Sequence, residues 1–163
     1  MENDLYESAR VKYKPKNVKI LFVGESRPNS GKFFYLDDTN LYNYTKKAFE
    51  QLGDIKNFSR EKFRDLGCYL YDVCDVPVNK EFTKAQGREL LIAGLPRLDK
   101  TINELEPDYI IVVKKSDMKK IVCEHICQKN YTDNKTAFNL PFPNCGQQNE
   151  YVYQLFKILE RIL

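Results

Sequence analysis

Four short runs of apolar and β-branched residues punctuate this chain, and the stretches between them constrain its fold more than any other feature. The runs occupy residues 18–23, 68–73, 108–113 and 136–140. Between them, apolar positions recur at spacings of three and four, the period of a helix with one buried face. Such alternation predicts a parallel sheet covered by helices on both faces, because parallel strands need a crossover long enough to hold a helix. The expected fold class is α/β, a three-layer sandwich around a central, mostly parallel four-stranded sheet. No repeat or internal linker divides the chain. Residues 1–163 read as one domain, with residues 1–16 as a polar N-terminal arm.

Local chemistry marks the helices. Asp37, Asp38 and Thr39 offer N-cap side chains to a helix that places Leu41, Tyr44, Ala48, Phe49 and Leu52 on one face, and Gly53 is a natural stop. Ser59 opens a short helix that Gly67 ends. Residues 84–105 carry Leu91, Leu95, Leu98, Ile102 and Leu105 at helical spacing, and Pro96 is expected to kink or split that helix. Ser116 is expected to cap a helix burying Met118, Ile121, Val122 and Ile126. A last helix over residues 146–163 presents Val152, Leu155, Phe156, Leu159 and Leu163 together.

Composition excludes several classes. With 163 residues, 42% of them hydrophobic and 30% charged, the chain can bury a core without disulfides or a structural metal, and it is neither collagen-like nor disordered. The longest purely apolar run, residues 109–113, is far too short to cross a membrane. Met1-Glu2-Asn3-Asp4 does not read as a signal or transit peptide. The expectation is a cytoplasmic protein, monomeric and without a membrane partner. Lys and Arg number 26 against 23 Asp and Glu, an excess that permits an anionic partner without indicating one. Cys68, Cys74, Cys123, Cys127 and Cys145, odd in number, read as reduced thiols. Cys123 and Cys127 share a helix face from which His125 points away. Two thiols do not close a tetrahedral zinc site, so they read as buried helix cysteines and His125 as a helix-surface residue. No metal and no cofactor is expected.

Open parallel sheets bind ligands beyond the carboxyl ends of their strands. The residues found there are therefore the candidates for chemistry. After the first run come Gly24, Glu25, Ser26, Arg27 and Pro28, then Phe33, Phe34 and Tyr35. The second run ends at Asp72, the third at Lys114 and Lys115, and the fourth at Leu140, Pro141, Phe142 and Pro143. Carboxylates, aromatic faces and cations on one edge suit a flat base joined to a phosphate: rings stack on bases, and Lys and Arg contact phosphates. Each element also has a plainer reading. Phe33-Phe34-Tyr35 would plug the core, Asp72 would pair a cation, and the lysines would be a solvated helix start.

Ile20-Leu21-Phe22-Val23-Gly24-Glu25-Ser26-Arg27-Pro28 resembles the first motif of the uracil-DNA glycosylase superfamily, an apolar strand ending in G-Q-D-P, G-E-A-P or G-x-N-P. Leu140-Pro141-Phe142-Pro143 stands where that superfamily has its second motif, commonly H-P-S-P, before the final helix. The stretch from Leu95-Pro96 to the strand at 109–113 is similar to the family's central helix, proline and strand. The nearest pattern is a group of small bacterial members of unassigned function reading G-E-S-P-P, F-F-Y and L-P-F-P. The resemblance covers about residues 18–163.

The resemblance implies a uracil-DNA-glycosylase-like sandwich with a pocket for a base flipped out of a duplex. It implies DNA or a nucleotide as partner, and cleavage of an N-glycosidic bond. Ser26 occupies the position of the Asp or Asn that positions water in active members. Phe33 or Phe34 matches the stacking aromatic, Asp72 the base-reading Asn, and Leu140 the His that stabilises the departing base. Three of these positions depart from the pattern. Ser26 is a poor base without a partner. Ionised Asp72 only accepts hydrogen bonds, which disfavours uracil O4 and favours an amino-bearing base. Leu140 offers nothing to a leaving anion, a loss worth about 10²–10³ in rate. Glu25 remains to direct water, with Ser26 assisting. Gly24, Arg27, Phe33, Phe34, Tyr35, Asp72, Leu140, Pro141, Phe142 and Pro143 are the expected binding residues. The alternative is a non-catalytic nucleic-acid or nucleotide binder on the same fold.

Overall fold

In the computed structural model, residues 2–78, 81–129 and 137–163 are described, and the apolar runs become four parallel strands: β1 (Ile20–Gly24), β2 (Cys68–Asp72), β3 (Tyr109–Val113) and β4 (Ala137–Leu140). Thr136, expected in the fourth strand, lies outside the described residues. The sheet order is β2-β1-β3-β4. β1 is buried along its whole length, as a central parallel strand must be when helices cover both faces.

The helices are α1 (Glu2–Lys12), α2 (Asn40–Glu50), α3 (Arg60–Asp65), α4 (Lys84–Leu105), α5 (Glu124–Lys129) and α6 (Gln148–Ile162), with a π-helical stretch, Met118–Cys123, leading into α5. The chain runs from β1 outward to β2, then back past β1 to β3. Right-handed crossovers in opposite directions place α2 and α3 on one face and α4 and α5 on the other. The packing agrees: α2 lies against α6, and α4 against the π-helical stretch. This is an α/β fold with an all-parallel sheet flanked by helices, consistent with a three-layer sandwich.

One core layer is aromatic. Phe22 of β1 meets Phe63 of α3 at 5.4 Å between ring centroids, and Phe63 meets Phe34 at 5.3 Å. Phe49 and Phe58 complete the cluster at 5.1 Å. The buried Thr45 and Tyr151 hydroxyls share a 2.7 Å hydrogen bond that ties α2 to α6. Thr39 and Ser59 cap α2 and α3 as expected, their side chains accepting from the N–H groups of Tyr42 and Lys62.

Several local expectations are corrected. Within the polar N-terminal arm, residues 2–12 form a helix whose Ala9 is buried, with Tyr13 buried just beyond its end. α4 runs unbroken through Pro96. The carbonyl that loses its donor there belongs to Ile92, an exposed residue within reach of water. Ser116 does not cap a helix with its side chain. It sits at φ 61°, and its carbonyl accepts from Lys119 and Lys120 as the chain enters the π-helical stretch. Cys127 is exposed while Cys123 is buried. His125 is half-buried and bonds Asp99 of α4 through Nε2 at 2.8 Å. Leu163 is exposed, and Tyr151 and Ile158 take its place on the buried face of α6. Among the described residues, no helix is long and apolar enough to cross a membrane.

Candidate functional site

The strand order reverses between β1 and β3, and the loops leaving these two strands diverge to opposite faces. A crevice at the carboxyl edge follows from that topology. A cleft of about 820 Å³ opens there.

The loop after β1 forms one wall. Backbone bonds past the strand ends, Val73 N–H to Gly24 C=O at 2.9 Å and Cys74 N–H to Glu25 C=O at 2.8 Å, hold Glu25 at the mouth. Both Glu25 oxygens accept from Lys114 Nζ, at 3.1 and 3.2 Å, across the β1–β3 gap. Ser26 Oγ accepts from Val78 N–H at 3.1 Å, and Arg27 lies over the Tyr6 ring. Phe33 and Phe34 line the cleft but are 1% and 5% exposed. Their loop is pinned by Asp37, whose carboxylate accepts from Phe33 N–H at 2.8 Å, and by Arg60, which donates to Phe34 C=O at 2.8 Å.

The opposite wall comes from the loops after β3 and β4. Lys114 N–H bonds Leu140 C=O at 2.8 Å. Asn139 donates to the carbonyls of Val112 and Lys114, and Lys115 Nζ donates to Asn139 C=O at 2.6 Å. Burial, with Lys119 nearby, lowers the Lys115 pKa. Pro141 and Phe142 line the cleft after Leu140. Phe142 is only half-buried, so it keeps more open ring surface than Phe33 or Phe34.

Asp72 stands at the end of β2, in register with Gly24. A Cβ on Gly24 would lie 2.5 Å from Asp72 Oδ1, so a larger residue there would have to displace this carboxylate. Burial pushes the Asp72 pKa up to about 6; Arg10, Arg27 and Arg97 pull it down, and Glu25 adds to the rise. Near neutrality the group is an acceptor, and below about 6 it becomes a hydrogen-bond donor.

The cleft thus gathers Gly24, Glu25, Ser26, Arg27, Phe33, Phe34, Asp72, Pro141 and Phe142. Three expected binding residues lie elsewhere. Tyr35 is buried in the core, where its hydroxyl accepts from Leu70 N–H at 2.6 Å and donates to Leu70 C=O at 3.1 Å. β2 is an edge strand, and Tyr35 satisfies the outward backbone groups of Leu70. Leu140 and Pro143 are buried behind the cleft wall. Sequence reasoning missed Thr39 and Leu41 at the start of α2, and Asn144 and Gln147 before α6, all of which line the cleft. The N-cap chemistry of Thr39 was readable; its place beside the Glu25 loop was not. Among the described residues, four cations, Arg27, Lys32, Lys114 and Lys115, and three carboxylates, Glu25, Asp38 and Asp72, line the cleft. Among the described residues, no cluster of three or more His, Cys, Asp or Glu suits a metal ion.

Fold and site together define an open parallel α/β protein with a largely apolar cleft, edged by charged side chains, at its topological switch point. The chain matches no protein-family model, and no curated protein matches it.

Proposed function

We propose that the protein is a uracil-DNA-glycosylase-like recogniser of a nucleobase in DNA or a nucleotide, and that Glu25 directs water onto the N-glycosidic bond. One observation carries this reading: Glu25, Asp72 and the aromatic pair Phe33-Phe34 share a single cleft with Pro141 and Phe142. Phe142 gives a base an open ring face. Asp72 reads the polar edge, preferring an amino group while ionised. Arg27, Lys32, Lys114 and Lys115 suit the phosphate. Lys114 Nζ, 3.1 Å from Glu25, also puts a cation beside the proposed chemistry, where Leu140 offers none.

A second reading, binding without chemistry, is favoured by that same contact. A carboxylate with both oxygens engaged by an ammonium is already partnered and less free to orient a water. Release of free base from oligonucleotides carrying deaminated or damaged bases separates the two, with Glu25→Gln and Asp72→Asn as controls. Release that falls in Glu25→Gln supports hydrolysis. Salt-dependent binding without release supports the second reading. Neither binding nor release overturns both.

A further inference from the structure

Asp72 is gripped from two sides. Oδ1 abuts Gly24, where even a methyl group would collide at 2.5 Å. Oδ2 faces the Arg10 guanidinium of α1, 3.8 Å away. The same guanidinium lies over the Phe33 ring, 5.1 Å from its centroid. Arg10 does not line the cleft. It backs the wall that Phe33 and Asp72 present to the cleft, joining their outer sides through one planar cation.

α1 is itself docked through this region. Tyr6 sets its ring edge-on to Phe33 at 5.1 Å, and its hydroxyl donates to Gly31 C=O at 3.0 Å. Tyr13 stacks on Tyr35 at 5.9 Å, above the edge of β2. Leu5 and Val11 point to solvent, so these ring and cation contacts, more than an apolar stripe, seat the helix.

We propose that Arg10 is a positioning residue of the cleft, holding the Asp72 carboxylate, and the buried Phe33 ring beside it, in the wall against which a base would lie. This rests on the nucleobase reading above. It makes α1 part of the recognition apparatus: a docked helix supplies the counter-charge that keeps Asp72 an acceptor, and an undocked one withdraws it. The other groups bearing on Asp72 are Glu25 and Arg27 of the β1 loop, Tyr35, Tyr69 of β2, Cys74, and Arg97 of α4. Arg97 also donates to the Val73 carbonyl and pairs with Asp75, whereas among the described residues Arg10 contacts the side chains of Glu7, Asp72 and Phe33.

The test is a carbon-13 NMR titration of the Asp72 carboxyl in the full chain, with Asp72→Asn assigning the resonance, for wild type, Arg10→Met and Arg10→Lys. Loss of a charge at this distance should raise the Asp72 midpoint by about 1 unit in Arg10→Met, and Arg10→Lys should restore most of it. A merely structural role would lower the melting temperature without moving the midpoint, and that result overturns the proposal. In parallel, binding of a single-stranded oligodeoxycytidine is followed against pH. A binding midpoint that moves with the carboxyl midpoint supports the proposal. A moved carboxyl midpoint with no binding by wild type overturns the nucleobase reading, while supporting Arg10 as the residue that holds Asp72.

Discussion

Replacing Asp72 with asparagine keeps the shape of the side chain and removes its charge. Below pH 3.8 the carboxyl is neutral in both folded and unfolded chains, and its burial is cheap. As pH rises, the unfolded chain releases its proton first, while the folded chain holds on until about 6, because burial disfavours the anion. The stability that comes from the protonated form is therefore full below 3.8 and lost as pH rises through about 6. A rise from 3.8 to about 6 corresponds to about 3 kcal/mol of cost to the wild type at neutral pH. Asp72→Asn should escape that cost. For a domain of this length each kcal/mol moves Tm by about 2–4 °C, so the variant should melt about 6–12 °C above wild type at pH about 7.5 and close to it at pH about 4. Thermal melts of both proteins across that range give the result, and titrating groups not coupled to Asp72 cancel in the difference. A gap that stays constant with pH, or a variant that loses ground as pH rises, refutes the claim that Asp72 is held ionised at a cost. Should the gap open as expected while base binding weakens, the carboxylate trades stability for recognition.

Three further outcomes follow from contacts around the cleft. Gly24→Ala should cost about 1–3 kcal/mol in urea unfolding, because its Cβ collides with Asp72 Oδ1, and clearly less in an Asp72→Ala background; equal costs in both would remove the steric argument. Tyr35→Phe leaves the edge N–H of Leu70 buried without its partner and should cost about 1–3 kcal/mol, so an unchanged urea midpoint contradicts the bracket. Iodoacetamide on the native protein should label Cys127 and Cys145, which are exposed, and spare Cys68, Cys74 and Cys123, which are buried and whose thiol pKa values burial raises; peptide mapping showing early labelling of any of those three would contradict the packing.

The strands and most helices were legible because they obey one rule each. A buried parallel strand is a continuous apolar run, so Ile20 to Val23 and Tyr109 to Val113 announce themselves. A covering helix carries a stripe, and Leu91, Leu98 and Ile102 form one. α1 escaped because it has no such stripe: its anchors are Tyr6, Arg10 and the following Tyr13, which read as polar or ambiguous. The π-helical entry to α5 escaped because its period differs from the one sought. Tyr35 follows Phe33 and Phe34 in one aromatic loop run, and nothing local to the sequence separates it from them. Only the strand order shows that β2 is an edge whose Leu70 needs a hydroxyl.

That order is also what decides the site. Alternating strands and helices demand a parallel sheet but permit many sequences of neighbours. In β2-β1-β3-β4 the chain turns back between β1 and β3, and there Glu25 and Lys114, 89 positions apart, come within 3.1 Å. Had β3 added beyond β2, the lysine loop would lie across the sheet from the glutamate, and Asp72 would sit between them under a different set of cations. The candidate residues could be listed from strand ends alone. Which of them share a cleft, and that its acid is already paired with a cation, depends on the reversal.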